Sequence, residues 1–197
     1  MGLQIEDGRG SGRSAGVTPE GNLTTMATSV SEEHETSRLY GLSFIANTTT
    51  TAKTLTVVSG NTYNLIYLAN TSSTRIMVVQ TINSSSNAAG GVFTVVKNPT
   101  VGTLSNYNVF TPVNLNFSSG LLAEATCYSW NEVGTAGITG ITGGTTVAAF
   151  ITGAAPLPLA VEGAFIIPQN TSIVVQYTST GATETSACIR FYYDQPA

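Results

Sequence analysis

Thr54-Leu55-Thr56-Val57-Val58-Ser59 decides the fold class. Hydroxyl and apolar side chains alternate along it, and a period of two is what a strand with one buried face requires. Asn114-Leu115-Asn116-Phe117-Ser118 alternates in the same way. Outward from these stretches, short apolar runs rich in Val, Ile, Thr, Phe and Tyr recur to the C-terminus. Such runs, bounded by Asn, Gly, Ser and Pro, predict strands. They fall near 40–46, 55–58, 63–70, 75–82, 91–97, 108–117, 125–130, 147–151, 162–167, 172–178 and 187–193. Turn chemistry marks Ser59-Gly60-Asn61, Asn83 to Asn87, Ser118-Ser119-Gly120 and Thr180-Gly181. No segment past Tyr40 sustains apolar positions at helical spacing. The expectation is an all-β chain: a jelly-roll-like antiparallel β-sandwich over 39–197, preceded by an extended, flexible N-terminal arm over 1–38.

The arm is set apart by charge. Residues 1–38 carry Glu6, Asp7, Glu20, Glu32, Glu33, Glu35, Arg9, Arg13 and Arg38, half of all the charged side chains. Gly8-Arg9-Gly10-Ser11-Gly12-Arg13-Ser14 is flexible by composition, and Val17, Leu23 and Met26 are isolated apolar residues suited to docking elsewhere. Ser31-Glu32-Glu33-His34-Glu35 places acids where a short helical turn would begin.

Charged residues make up 9% of the 197, against about 25% in an ordinary soluble domain. Ser, Thr, Asn and Gly take their place, which suits a surface covered by partner subunits or an uncharged, hydroxyl-rich exterior. The net charge is −4 and Lys and Arg nowhere cluster, which argues against nucleic-acid binding. No apolar stretch approaches the roughly 20 residues that span a bilayer. No signal-peptide pattern is visible, so the expectation is a protein made in the cytoplasm with no membrane partner.

The inventory for catalysis is thin. His34 is the only histidine and sits between Glu33 and Glu35 in the arm. A catalytic imidazole needs partners in fixed geometry, so a solvated side chain is expected. Glu124 and Glu132 are the nearest approach to a carboxylate pair, and nothing in their pattern argues for one. Cys127 and Cys188 match no metal or redox spacing; they are expected to be small buried apolar side chains, with a disulfide left open. Gly8-x-Gly10-x-Gly12 completes no nucleotide-binding motif. Residues 133–155, where Gly-Ile-Thr occurs at 137–139 and again at 140–142, predict a long loop or edge excursion. Tyr63, Tyr67, Trp130, Tyr192 and Tyr193 are expected to pack in the core rather than form a sugar-stacking surface. No catalytic residue, metal site or cofactor is predicted.

The opening Ile5-Glu6-Asp7-Gly8-Arg9-Gly10-Ser11-Gly12-Arg13-Ser14-Ala15-Gly16-Val17, followed by Asn22-Leu23, resembles the start of small virion proteins of tailed bacteriophages. Leu39-Tyr40-Gly41-Leu42-Ser43-Phe44 resembles their step into a β domain. The last part, Pro168 to Tyr177 and Ala187-Cys188-Ile189-Arg190-Phe191-Tyr192-Tyr193-Asp194, is similar to their C-terminal strands. The resemblance covers roughly the first 45 and last 35 residues.

It implies a capsid decoration (cement) protein on the virion surface: a homotrimer with a jelly-roll body and an arm on the major capsid protein. On that reading Arg9, Arg13 and Arg38 pair with shell charges, while Val17, Leu23 and Met26 fill grooves. Two other readings compete: a head-fibre or tail-fibre adhesin gripping host glycans, and a subunit of the shell or tail tube. An enzyme is the class the residues favour least.

Overall fold

The computed structural model describes residues 5–6, 14–17, 23–24, 36–37, 39–48, 55–86, 91–131, 137–151, 157–181 and 183–194. The chain divides into two compact units, Met1–Ser31 and Glu32–Ala197. The first unit holds three short antiparallel strands, β1 (Ile5–Glu6), β2 (Ser14–Val17) and β3 (Leu23–Thr24), in that order. Ile5 lies opposite Ala15, and Val17 opposite Leu23.

The second unit begins with helical backbone at residues 36–37 and 39–40, which the amide of Gly41 closes by donating to the Ser37 carbonyl at 3.0 Å. Its strands are β4 (Ser43–Asn47), β5 (Leu55–Val57), β6 (Thr62–Asn70), β7 (Ile76–Ser86), β8 (Val92–Lys97), β9 (Thr100–Ser105) and β10 (Tyr107–Val109). There follow β11 (Val113–Asn114), β12 (Ala125–Trp130), β13 (Thr139–Thr142), β14 (Thr145–Ile151), β15 (Leu157–Ile167), β16 (Ser172–Thr178) and β17 (Thr183–Asp194).

Eight of these strands make a jelly roll. Taken in chain order as β4, β6, β7, β8, β14, β15, β16 and β17, they pair first with last: β4 with β17, β6 with β16, β7 with β15 and β8 with β14. That is one long antiparallel ribbon. Rolling it brings β17 against β7 and β16 against β8. The result is two sheets, ordered β11-β4-β17-β7-β15 and β10-β12-β6-β16-β8-β14, with β5 added to β17. This is the double Greek key of a jelly roll. The segment between β8 and β14 is an insertion: it lengthens both sheets on one side, with β11 beside β4 and with β12 and β10 beside β6.

The core lies between the sheets. Phe44, Ile189, Phe191 and Tyr193 from one sheet and Phe93, Val95, Val175 and Tyr177 from the other are all buried. Aromatic and β-branched side chains fill a pleated surface well, and each such burial is worth about 1.5–3 kcal/mol. The hydroxyls of Ser86 on β7 and Tyr177 on β16 meet at 2.8 Å, a buried polar link between the two sheets.

The outer face of the second sheet is covered as well. Val96 and Val174, opposite in facing to Val95 and Val175, are also buried. Their cover comes from the insertion, whose β13 pairs with β9. Gly137 bridges to Asn64 on β6, and a Cβ on Gly144 would lie 2.7 Å from the Val96 side chain.

Three sequence expectations are corrected by this fold. Asn83 to Ser86 is the end of β7, not a turn, because Ser84 and Ser86 pair with Ala187 and Thr185 of β17. Residues 108–117 are not one strand: β10 and β11 flank a break. The alternation at Asn114 to Ser118 belongs to turns, since Asn114 Oδ1 accepts from the Asn116 amide at 2.9 Å and Asn116 Oδ1 from the Ser118 amide at 3.1 Å. Within 133–155, residues 139–142 are a strand where a loop was expected, whereas the strand expected near 147–151 is present as β14 at the edge of its sheet.

Candidate interaction surface

Among the described residues reactive side chains do not gather: no group of three or more His, Cys, Asp and Glu is placed to hold a metal ion. Glu124 binds Arg75 at 3.4 Å on the surface, while Glu132 and His34 lie outside the described residues. The two cysteines are free and sit in different sheets. Cys127 is buried, and burial pushes its thiol far above the ordinary value of 9.0. Cys188 is half-buried, its sulfur 3.6 Å from the Asn83 side-chain amide. Cys127 is thus not set up as a nucleophile, which needs a lowered pKa and access.

The five aromatics weighed as a sugar platform are core residues. Tyr63 packs on Trp130 at 4.9 Å and Tyr67 on Tyr128 at 5.5 Å between centroids, across neighbouring strands β6 and β12. Tyr192 and Tyr193 are buried on opposite faces of β17. The hydroxyl of Tyr193 is held above its ordinary value chiefly by burial.

A cleft opens where the helical turn meets the insertion. It has a volume of about 600 Å³ and is walled by Leu39, Tyr40, Leu42 and Leu121, with Arg75 and Asp194 beside them. Asn114 builds its rim by donating to the carbonyls of Gly41 at 2.7 Å and Leu121 at 3.0 Å, and Asn116 donates to Ser37 at 2.8 Å.

The surface itself is more informative than any cavity. The body has no charged residue from Asn98 to Ala123, nor from Val133 to Val161. Exposed apolar side chains collect in these two stretches. The insertion side presents Val109, Val113, Phe117, Leu121 and Leu122, with Phe117 at 92% and Leu122 at 76% exposure. The β14 edge presents Val147 and Ile151, the latter 69% exposed; Ile166 of β15, beyond the charge-free stretch, is exposed as well. A side chain of this kind left in water forfeits the burial that drives association.

Of the arm residues predicted to contact a partner, Arg9, Arg13, Met26 and Arg38 lie outside the described residues. Val17 and Leu23 are brought together as register partners of β2 and β3. The apolar residues of the insertion were not predicted as a site. Their signal is in the sequence, as Phe117, Leu121 and Leu122 in a stretch with no charge to keep it wet.

Comparison with known proteins finds no matching family model, no matching curated protein and no matching solved structure.

Proposed function

We propose that this chain is a non-enzymatic virion structural protein, a capsid decoration (cement) protein that stabilises a phage head through subunit contacts. Its partners on this reading are the major capsid protein and further copies of itself, and its place is the outer capsid surface. The observation that carries the reading is the concentration of exposed apolar side chains in the two charge-free stretches of a jelly roll. A rigid sandwich with apolar edges is suited to being held between neighbours, where burial repays the exposure. The resemblance of the chain's two ends to small tailed-phage virion proteins points the same way. The arm, with Arg9, Arg13 and Arg38 and the apolar Val17, Leu23 and Met26, supplies many weak contacts that act together.

Co-sedimentation of the purified protein with heads that lack it tests this. Saturable binding that raises the heads' resistance to heat or chelator supports the reading. Failure to bind heads, together with saturable binding to host cells, would replace it with the adhesin.

A further inference from the structure

The two apolar surfaces stand at opposite ends of one sheet. In the order β10-β12-β6-β16-β8-β14, Val109 lies on the first strand and Val147 and Ile151 on the last. Five strand spacings of about 4.8 Å separate them, roughly 24 Å. No single copy can cover one with the other, whereas two copies can.

The composition of β14 marks it as a strand meant for burial on both faces. Thr145-Thr146-Val147-Ala148-Ala149-Phe150-Ile151 contains no charge and no proline. Ala148 and Phe150 pack against the core, leaving Val147, Ala149 and Ile151 along the other face. A near-continuous apolar run belongs to a strand covered on both sides, and an edge strand that stays free carries Lys, Pro or a strong bulge. The edge of the other sheet has such guards: β15 carries Pro158, Glu162 and a three-residue slip in pairing between Ala160 and Phe165. By contrast, β14 has one slip at Thr146 to Ala148 and nothing else.

We infer that copies of this chain associate head to tail, with the β14 edge of one seated on the Val109–Leu122 insertion side of the next. This rests on the reading of the chain as an assembly subunit and names the contact that would build the assembly. Rolling the ribbon leaves β14 and β15 as the last strands of their sheets on one side of the sandwich. Strands of seven and eleven residues run about 24 and 37 Å, with the sheets about 10 Å apart. That side therefore offers roughly 600 Å², on the scale of the ~800 Å² per partner in a stable interface. The apolar side chains themselves lie in charge-free stretches, with few charges at their borders: Lys97 opposite Thr145 and Glu162 on β15 beside one surface, the Arg75–Glu124 pair and Asp194 beside the other. Each surface has the apolar character the other lacks cover for. Two different patches make a heterologous contact, which closes into a ring when the rotation allows it.

The test uses two surface variants of the full chain, V147K/I151K on the β14 edge and V109K/L122K on the insertion side, with milder Ser versions if either folds poorly. Light scattering of the wild type is expected to give an oligomer, and each variant alone a single chain of 20.4 kDa. Mixed one to one, each variant retains the surface the other has lost, so the mixture is expected to form a heterodimer and stop there. A wild-type monomer would overturn the inference, as would a mixture that stays monomeric. An insertion-side variant that keeps the wild-type mass would show instead a symmetric β14 contact. Head binding is scored separately: an oligomer that ignores heads removes the decoration reading and leaves the contact standing, and a monomer that binds heads does the reverse.

Discussion

The side-chain amide nitrogen of Asn64 lies 2.8 Å from the carbonyl oxygen of Ile138. The same group reaches the Ile141 carbonyl at 3.3 Å, and Asn64 Oδ1 accepts from Gln176 Nε2 at 2.7 Å. One buried amide thus fastens the insertion to the outer face of β6 and β16. Removing it leaves two carbonyls and an amide without that partner, and an orphaned buried group costs about 1–3 kcal/mol. N64A is expected to lose about 3 kcal/mol in urea unfolding, and N64L nearly as much. A stable N64L would show that volume at this position matters and the hydrogen bonds do not.

The repeated Gly-Ile-Thr has a local cause. Gly137 and Gly140 both have positive φ, at 68° and 83°, and each is followed by a buried isoleucine, Ile138 or Ile141. A Cβ on Gly137 would stand 2.7 Å from the Asn64 amide nitrogen, whereas one on Gly143, at φ 65°, would meet nothing. G143A is therefore expected to cost only the left-handed conformation, about 1–2 kcal/mol. G137A adds a backbone collision and is expected to cost at least twice as much. Equal melting temperatures for the two variants would contradict the close docking of this segment on β6.

Strands were legible where the side chains carry their own preference. Ala125 to Trp130 and Ser172 to Thr178 are strands from end to end, as their β-branched and aromatic content predicts. The sequence fails where partners override composition. Ser84 to Ser86 looks like a turn until β17 supplies the ladder, and Gly-Thr-rich β13 gains its strand character from β9. Asn114 and Asn116 mimic a strand's alternation while their side chains hold turns. The order of strands within each sheet depends on pairings over a hundred residues apart, which no local pattern encodes. The interaction surface was legible only as a shortage of charge; where the apolar residues face follows from the topology.

Burial of Cys127 and Tyr193 makes stability depend on alkaline pH. At neutral pH both groups are protonated in the folded and unfolded chain alike. Above 9.0, the ordinary thiol value, the unfolded chain releases the Cys127 proton while the folded chain retains it. Tyr193 adds to this above its ordinary 10.0. The unfolded state then binds fewer protons, so stability falls as pH rises. The midpoint in urea is expected to hold steady from pH 7 to about 8.5 and to fall above 9. C127A should flatten the first part of that fall. An unchanged slope in C127A would mean that the thiol ionises as easily in the folded chain as in the unfolded one.

Exposure separates the residues that hold the body together from those available to a partner. Phe93 is fully buried, stacks on Phe150 at 5.7 Å and packs at a tilt against Tyr177 at 4.6 Å, whereas Phe117 is 92% exposed. Truncating the first opens a cavity, and F93A is expected to lose about 3–5 kcal/mol. Truncating the second removes nothing the folded chain relies on, so F117S and L122S should stay within about 0.5 kcal/mol of wild type. Their effect is expected in association instead: a lower mass in light scattering at a fixed concentration, with the melting curve of the diluted protein unchanged. If F117S melted several degrees lower while its mass held, Phe117 would belong to the body's own packing and not to an interface.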